Sequence, residues 1–403
     1  MAKKSIQNID VKNKRCLVRV DFNVPMEKGY DTAVISDDTR IRETLPTIQY
    51  LIQNDAKIIL CSHLGRPKGK PDATQSLKPI AARLSELLGK SVIFASDCIG
   101  PDVRAKAMMM KPGDIMLLEN LRFHSEEEQN DPGFSRQLAS LVEIYVNDAF
   151  GAAHRAHAST EGVAHYISGP AVAGFLMQKE LQYLGKDLNR PLRPFVVILG
   201  GAKVSDKIAV INALLEKANT ILIGGAMAYT FNLALGKKIG NSLAEPEKVA
   251  VAKATLEKAK ERNVKFLLPM DHVVAEHIDF KEKTVSKLKT IKDEIPANMS
   301  GVDIGMSTIQ AYSEEISQAS TIFWNGPMGI FEIGECAAGT FAIAQAVAAN
   351  RKAKSIIGGG DSVKAVKQSG VEGKITFIST GGGASLEFLE GKILPGVAAL
   401  NDQ

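Results

Sequence analysis

The sequence lacks the short motifs that would assign a function at once. Its 403 residues contain neither a GxxxxGK(S/T) phosphate loop nor an intact GxGxxG dinucleotide fingerprint. The four cysteines are scattered and form no CxxC pair, which is typical of a reducing compartment and disfavours a metal cluster. The first residues show no apolar signal-peptide core, and no apolar run is long enough to cross a bilayer, so we expect a cytoplasmic protein. Charge is modest too, since a net charge of +4 does not by itself predict a nucleic-acid partner.

The length and the periodicity of the chain predict two α/β domains. At 403 residues, 45% of them hydrophobic and 23% charged, the chain is globular and longer than one ordinary domain. Apolar strand-like runs alternate with segments of helical spacing, which predicts two doubly wound, Rossmann-like parallel sheets, each in three α/β/α layers. Prolines 191 and 194 mark a boundary after one amphipathic helix that starts near residue 174. The expected ranges are a first domain at 1–173, an interdomain helix and hinge at 174–190, and a second domain at 191–385.

Polar and basic residues follow the predicted strands of the first half. Ligands of open α/β sheets bind beyond the carboxyl ends of the strands, so these residues should converge on one site. Several arginines suit a small, highly anionic ligand, because guanidinium pairs bidentately with phosphate and carboxylate. Any one arginine could instead be a surface residue or an ion-pair partner, and a metal role for the histidine pair is disfavoured because no acidic ligand follows it. The residues are Asp21, Asn23, Arg40, His63, Arg66, Arg122, His124, His154, Arg155 and His157.

Glycines follow the predicted strands of the second half. Six apolar runs, at 195–199, 220–223, 265–268, 321–324, 354–357 and 375–378, predict a six-stranded parallel sheet. Five of them end at glycine, mostly paired or triple, which an ordinary strand-to-helix turn rarely needs. Glycine allows close approach of a ligand and leaves backbone N–H donors accessible. The pattern therefore favours a nucleotide over a sugar.

The stretch 195–207 is the most informative part of this half. A strand, the turn Gly200–Gly201 and a segment of helical spacing from Lys203 would direct N–H groups and a helix N-terminus at an anion, with Lys203 and Lys207 adding charge. The alternative is that the glycines only form a tight turn and the lysines are solvated. Asp361 has two interpretations as well: a helix N-cap, or a ligand of Mg²⁺ carried by a nucleotide.

An anion site in one half and a nucleotide site in the other imply transfer between them. Phosphoryl transfer needs positioning and charge neutralisation, and closure about a hinge would align the substrates and exclude water. Three alternatives remain: a two-domain solute-binding protein, a nicotinamide-dependent dehydrogenase, and a glycine-rich scaffold without activity. ATP turnover would exclude the first, and lack of nicotinamide binding would exclude the second.

Eight motifs, in order along nearly the whole chain, resemble those of the phosphoglycerate kinase family. They are VDFNVP at 20–25, DTRIR at 38–42, SHLGRP at 62–67, LENLRFH at 118–124, AHRAH at 153–157, GGAKVSDK at 200–207, WNGPMGIFE at 324–332 and GGGDS at 358–362. The resemblance implies reversible phosphoryl transfer between MgATP and the carboxylate of 3-phosphoglycerate, giving 1,3-bisphosphoglycerate and MgADP, in glycolysis and gluconeogenesis. It also implies that the segment 386–403 packs back onto the first domain. We expect small-molecule partners only, without nucleic acid or membrane, and a monomer.

The resemblance also assigns roles to single positions. Arg40, Lys203, Lys207 and the helix start at Gly381 and Gly382 would stabilise the transferring phosphoryl group, Asp361 would reach Mg²⁺, and Glu332 the ribose. The 3-phosphoglycerate residues are Asp21, Asn23, Arg40, His63, Arg66, Arg122, His154 and Arg155. The nucleotide residues are Gly201, Ala202, Lys203, Lys207, Gly225, Gly301, Asn325, Glu332, Gly358, Gly359, Gly360, Asp361 and Ser362.

Two places depart from the family pattern. The segment 26–36 is longer than the usual turn. Met306 and Ser307 stand where Pro-Lys is more usual, which affects the expected rim of the nucleotide site and not the chemistry.

Overall fold

The structure is a computed structural model that describes residues 2–28 and 33–403. The chain divides into two compact units: residues up to Gln182 together with Lys392–Gln403, and Tyr183–Gly391. The middle of the long segment 26–36 lies outside the described residues; its two flanks pair as antiparallel strands.

The first unit is built from short strands and helices in alternation. Its strands are β1 Arg15–Arg19, β2 Met26–Lys28, β3 Ala33–Ile35, β4 Lys57–Cys61, β5 Val92–Phe94, β6 Ile115–Leu117, β7 Ile144–Asn147 and β8 Ala171–Ala173. Its helices before the connector are α1 Thr39–Gln53, α2 Lys78–Leu88, α3 Pro101–Met109, α4 Ser125–Glu128, α5 Pro132–Ala139 and α6 Phe175–Glu180.

The main sheet of this unit is parallel throughout, with strand order β5-β6-β4-β1-β7-β8 among the described residues. Strands β1 and β4 are buried on both faces apart from their first residues, as expected for a parallel sheet with helices on both sides. Ile41 and Ile48 of α1 and Leu84 of α2 point into the core, each worth about 1.5–3 kcal/mol when fully buried. The chain turns from one side of β1 to the other between β4 and β7, so the loops after β1 and β7 border the switch point where ligands bind in such sheets.

The second unit repeats the architecture with an added antiparallel layer. Its strands are β9 Phe195–Leu199, β10 Thr220–Ile223, β11 Lys265–Leu267, β12 Asp271–Ala275, β13 Ile278–Asp279, β14 Thr284–Val285, β15 Lys289–Lys292, β16 Ser300–Ile304, β17 Thr321–Asn325, β18 Lys354–Ile357 and β19 Phe377–Ile378. Its helices are α7 Ile208–Leu214, α8 Met227–Ala234, α9 Val249–Glu261, α10 Met306–Gln318, α11 Ala338–Ala349, α12 Gly360–Gln368 and α13 Gly383–Leu389, and the chain ends with α14 Pro395–Ala398 in the first unit.

The main sheet of the second unit has the order β11-β10-β9-β17-β18-β19 in the described chain, with every pairing parallel. The six strands predicted from the apolar runs are therefore confirmed, and with them the doubly wound α/β class. Strand β9 is buried along its whole length, and the switch point lies between β9 and β17. The glycine turns that follow these two strands consequently lie where a ligand would bind.

Three local expectations differ from the structure. The helix after Gly201 begins at Ile208 rather than at Lys203, because Ser205 is bonded to Glu245 through both its backbone N–H and its hydroxyl and 201–207 forms turns. The connector is helical, but α6 passes into a π-helical segment at Leu181–Asp187. The antiparallel sheet β15-β12-β16 was not predicted at all. Within the described residues, no helix combines the length and apolar character that crossing a membrane requires.

Candidate active site

The loop after β1 places an arginine against a carboxylate. Arg40, in the first turn of α1, directs Nη1 at both carboxylate oxygens of Asp21, at 3.1 Å each, and at the carbonyl oxygen of Asn23 at 3.1 Å. Asp21 is 7% exposed, while about a third of the Arg40 side chain remains accessible. The carboxylate therefore orients the guanidinium and leaves part of it free to meet a ligand.

The loops after β4 and β6 are tied to the same place through Gly65. The amide N–H of Gly65 donates to Asn23 Oδ1 at 2.9 Å, and its carbonyl oxygen accepts from Arg122 Nη1 at 2.9 Å. Arg122 also forms an ion pair with Glu128 at 3.2 Å. Arg66 follows Gly65 directly and is exposed. Three predicted residues, Asn23, Arg66 and Arg122, thus meet around Gly65, because three parallel strands end at the same edge.

His63 is held in a neutral state. Its ring is 7% exposed, and Nδ1 lies 3.1 Å from Nη2 of the buried Arg19. Burial, reinforced by Arg19, Arg122 and Arg40, lowers the pKa of His63 well below its ordinary value. A guanidinium can only donate, so Nδ1 accepts and the ring proton lies on Nε2.

The loop after β7 supplies the remaining basic residues. Arg155 is exposed, and its Nε donates to His154 Nε2 at 3.2 Å. Burial together with Arg122, Arg19 and Arg155 lowers the pKa of His157 to about 4. The backbone N–H of His157 donates to Thr160 Oγ1 at 3.1 Å, which fixes the turn that presents His154 and Arg155.

These side chains form the basic site, defined as Asp21, Asn23, Arg40, His63, Arg66, Arg122, His154 and Arg155. Burial lowers the pKa of Arg122, although the guanidinium stays charged at neutral pH. Two of the four arginines have carboxylate partners, Asp21 and Glu128, among the described residues. The excess of positive charge suits an anion that carries both carboxylate and phosphate. His124, also expected at this edge, instead bonds to Asp97 at 2.7 Å.

In the second unit the glycines pack backbone against backbone. The N–H of Gly200 donates to the carbonyl of Asn325 at 3.0 Å, and that of Gly201 to the carbonyl of Pro327 at 3.2 Å. Gly225 has φ +67°, and a Cβ atom there would lie 2.5 Å from the nitrogen of Gly201. Larger residues would separate these loops, so the glycines are required for the turns to meet.

Lys207 points into this group of loops. Its Nζ donates to Asn325 Oδ1, and Asn325 Nδ2 donates to the carbonyl of Gly358 at 2.9 Å. Burial lowers the pKa of Lys207 to about 8, with Asp206 and Asp361 opposing the shift. Desolvation thus leaves the ammonium ready to gain from an incoming anion.

The triple glycine opens α12. Gly359 is its N-cap residue with φ +91°, Gly360 is its first residue, and Asp361 lies exposed in the first turn. Ser362 is buried and accepts from the N–H of Gly326 at 2.5 Å. Asp361 is therefore not the N-cap. Its carboxylate is exposed and interacts electrostatically with Lys207.

A single exposed carboxylate fits Mg²⁺, which usually takes one or two protein carboxylates and completes its shell with phosphate oxygens and water. The remaining predicted positions lie on other loops of the same unit. Gly301 donates its N–H to Ser242 Oγ at 2.8 Å and packs on Tyr229 of α8. Gly381 donates to Ser379 Oγ at 3.1 Å, and Gly382 is the N-cap of α13 with φ +53°. Ala202, Lys203 and Glu332 are exposed.

We call Lys207, Asn325 and the glycine turns around them the glycine site. Three buried residues that no sequence motif indicated lie behind the basic site: Arg19, Ser159 and Glu127. Arg19 sits in an apolar strand and the other two lie far away in the chain, so only the charge of Arg19 within a predicted core strand could have signalled them.

The chain is similar to known proteins over nearly its whole length. The family "Phosphoglycerate kinase" matches residues 6–392. Proteins described as phosphoglycerate kinase from Koribacter versatilis and Dictyoglomus turgidum are 56% and 57% identical, and each alignment covers 100% of both chains. The structure of phosphoglycerate kinase from Coxiella burnetii superposes with a TM-score of 0.88 at 41% identity, over 98% of each chain. That from Pyrococcus horikoshii gives 0.81 at 34% identity, again over 98% of each chain.

Proposed function

We propose a division of labour between the two units of this chain, which belongs to the phosphoglycerate kinase family. The chain is a kinase of glycolysis and a phosphotransferase with a carboxyl group as acceptor. It transfers a phosphoryl group reversibly between a nucleotide, ATP, and 3-phosphoglycerate, giving 1,3-bisphosphoglycerate and ADP. The match over residues 6–392 carries this assignment.

The first unit, in this proposal, binds 3-phosphoglycerate through the basic site. Arg66, Arg122, His154 and Arg155 bind the phosphate and carboxylate oxygens as charge-assisted donors. His63 contributes a neutral Nε2–H donor, while Asp21 and Asn23 hold Arg40 and bind the substrate hydroxyl. The concentration of positive charge around Gly65 supports this arrangement.

The second unit, in the same proposal, binds the nucleotide through glycine backbone. Gly201, Ala202, Gly225 and Gly301 lie against the base and Glu332 bonds the ribose. Asn325, Gly358, Gly359, Gly360 and Ser362 hold the phosphate chain. Asp361 would hold Mg²⁺, which when bound neutralises phosphate charge and orients the phosphoryl group.

Transfer itself requires alignment and charge stabilisation more than covalent participation of the protein. Arg40, Lys203 and Lys207, with the helix start at Gly381 and Gly382, stabilise the charge on the transferring group, as donors do in an oxyanion hole. The acceptor carboxylate attacks in line after the domains close about the hinge at 174–190 and exclude water. We further propose that the protein is a cytoplasmic monomer whose partners are these small molecules.

A coupled assay with 3-phosphoglycerate and MgATP tests the function. Arg40→Ala and Lys207→Ala should each lower kcat about 100-fold or more, since each removes a donor that acts in the transition state. Arg42→Ala and Lys258→Ala are matched controls, because both lie in partly exposed ion pairs, with Asp38 and Glu216, and should keep turnover within about twofold. Near-normal turnover in either test variant would remove that residue from the proposal.

A second prediction concerns Asp361. Asp361→Asn should raise the Mg²⁺ concentration needed for half-maximal activity by about tenfold, because a neutral amide is a weaker ligand for a hard cation. Calorimetric titration of ADP with and without Mg²⁺ gives a readout apart from turnover: the variant should lose the Mg²⁺-dependent gain in affinity. Glu372→Gln, an exposed carboxylate beyond α12, is the control. An unchanged Mg²⁺ dependence would exclude Asp361 as the ligand.

A further inference from the structure

Arg19 is a buried cation at the carboxyl end of β1, immediately behind the basic site. Only 1% of it is exposed. Its Nε donates to Ser159 Oγ at 2.8 Å, its Nη1 donates to the carbonyl of Val20, and its Nη2 donates to His63 Nδ1 at 3.1 Å. Each of its three nitrogens therefore has a fixed acceptor, so the guanidinium has one orientation.

Ser159 connects this arginine to a carboxylate. Its hydroxyl lies 2.6 Å from Glu127 Oε1, and its backbone N–H donates to Glu127 Oε2 at 2.9 Å. On the opposite side, its carbonyl accepts from Tyr145 OH at 2.7 Å. Ser159 and Glu127 are both fully buried. A buried charge requires compensation, and Glu127 supplies it to Arg19 across one hydroxyl.

The polarity of this chain of bonds is determined by donor chemistry. Arg19 has donors only, so Ser159 Oγ accepts from Nε, and with Glu127 ionised the single hydroxyl proton goes to that carboxylate. The same guanidinium forces Nδ1 of His63 to accept. The chain thus runs from Glu127 through Ser159 and Arg19 to His63, with every proton assigned.

We propose that Ser159 and Glu127 are positioning residues that, through Arg19, hold His63 as the Nε2–H tautomer and so present a donor to the anionic acceptor substrate. The use of that donor rests on the proposed function, but the tautomer does not. If Glu127 and Ser159 served only stability, their loss would weaken folding without changing which ring nitrogen of His63 carries the proton.

Nitrogen-15 NMR of the histidine rings tests the tautomer in the intact protein. With His63→Gln used to assign the signal, wild-type His63 at pH 7 should show a protonated Nε2 and an unprotonated Nδ1. A cationic ring, or a proton on Nδ1, would overturn the proposal in the wild-type protein, whatever the variants do. The NMR measurement does not depend on turnover. A wrong tautomer is therefore distinguishable from failure of the proposed function, which would appear as an inactive wild-type enzyme.

Variants separate positioning from stability. Ser159→Ala and Glu127→Gln should produce a mixture of His63 tautomers and raise KM for 3-phosphoglycerate about tenfold, the equivalent of one weakened hydrogen bond, with kcat within about twofold. Ser159→Thr, which keeps the hydroxyl, should restore the wild-type tautomer. Tyr145→Phe is the control, since it removes a buried bond to Ser159 on the side away from Arg19. An unchanged tautomer in folded Ser159→Ala and Glu127→Gln would refute the positioning role.

Discussion

His272 is a buried histidine in the antiparallel sheet of the second unit. It is 1% exposed in β12, and neither ring nitrogen has a partner among the residues that the structure describes. Its ring lies against that of Tyr229, with centroids 5.4 Å apart. Burial lowers the pKa of His272 to about 4, so the ring is neutral at pH 7 and contributes little beyond packing.

Replacing His272 with leucine should stabilise the second unit. We expect the free energy of unfolding to rise by about 1–2 kcal/mol in urea denaturation, because an unpaired polar group no longer has to be desolvated. The unfolded ring takes up a proton near pH 6.5 and the folded ring only near pH 4, so wild-type stability should fall as pH drops between these values, by up to about 3 kcal/mol.

The pH dependence of the free energy of unfolding distinguishes loss of a buried, unpaired ring from improved packing by leucine. His272→Leu should lose that part of the slope, whereas His277→Leu, at an exposed position, should keep it. Equal slopes in the wild type and His272→Leu would contradict the buried neutral ring.

Single residues of the sites were predictable where chain order alone determines location. Asp21, His63 and Arg122 follow strands of one parallel sheet, so their convergence follows from topology without any side-chain detail. Arg19 and Glu127 were not predictable, because their pairing depends on Ser159, which is 140 residues from Arg19 in the chain. The protonation state of His63 depends on the same contact.

At the scale of elements, the N-terminus of helix α10 is capped by a side chain from strand β12. Asp271 of β12 accepts from the N–H of Ser307 at 2.9 Å and from the N–H and hydroxyl of Thr308 at 2.9 and 2.6 Å. The departure at Met306–Ser307 therefore falls in the capped first turn of this helix. A carboxylate here satisfies otherwise unpaired amides and interacts favourably with the helix dipole.

Asp271→Asn should lower the free energy of unfolding by about 1–2 kcal/mol at pH 7, since an amide accepts fewer of these bonds and carries no charge. Burial acts to raise the pKa of Asp271, but the bonds from Thr308 and Ser307 outweigh it and the pKa is lowered. The contribution is therefore present above about pH 4 and is lost as the carboxylate protonates at lower pH.

Chemical denaturation at pH 7 and pH 3 measures this. The difference in the free energy of unfolding between the wild type and Asp271→Asn should be smaller at pH 3 than at pH 7. Asp293→Asn is the control, because Asp293 is exposed and its φ of +62° is one that asparagine tolerates. A gap of the same size at both pH values would argue against the charged cap.

The elements that could be predicted are those with an unambiguous pattern. Strands β9 and β17 are continuous apolar runs that end at glycine or asparagine, and both were recognised. Strand β8 consists of three short side chains and gives no such signal, while β15 begins and ends with lysine and lies at a largely exposed sheet edge. The delayed start of α7 depends on the bond between Ser205 and Glu245, which no local pattern shows.

At the scale of the whole molecule, the first unit is discontinuous in sequence. The segment Lys392–Gln403 belongs to it, whereas the expectation from family resemblance began at 386. Asn401 accepts from the N–H groups of Lys4 and Ala171, and the N–H of Gly396 donates to the carbonyl of Ala153 at 2.9 Å. Length and periodicity predicted two units, but the division inside a continuous helical segment, after Gln182, depends on contacts that the sequence does not display.

The C-terminal segment should consequently be required by the first unit and not by the second. Termination after Gly391 removes three buried side chains, Leu394, Val397 and Leu400, worth together about 4.5–9 kcal/mol, which is comparable to the whole stability of a domain. It also removes the support of Ala153, beside the basic-site residues His154 and Arg155. We expect calorimetry to show binding of 3-phosphoglycerate lost and binding of ADP retained, with one unfolding transition shifted to lower temperature. Deletion of residues 402–403 alone is the control and should leave the binding of both 3-phosphoglycerate and ADP unchanged. Normal binding of 3-phosphoglycerate by the longer truncation would mean that the first unit folds without its returning segment.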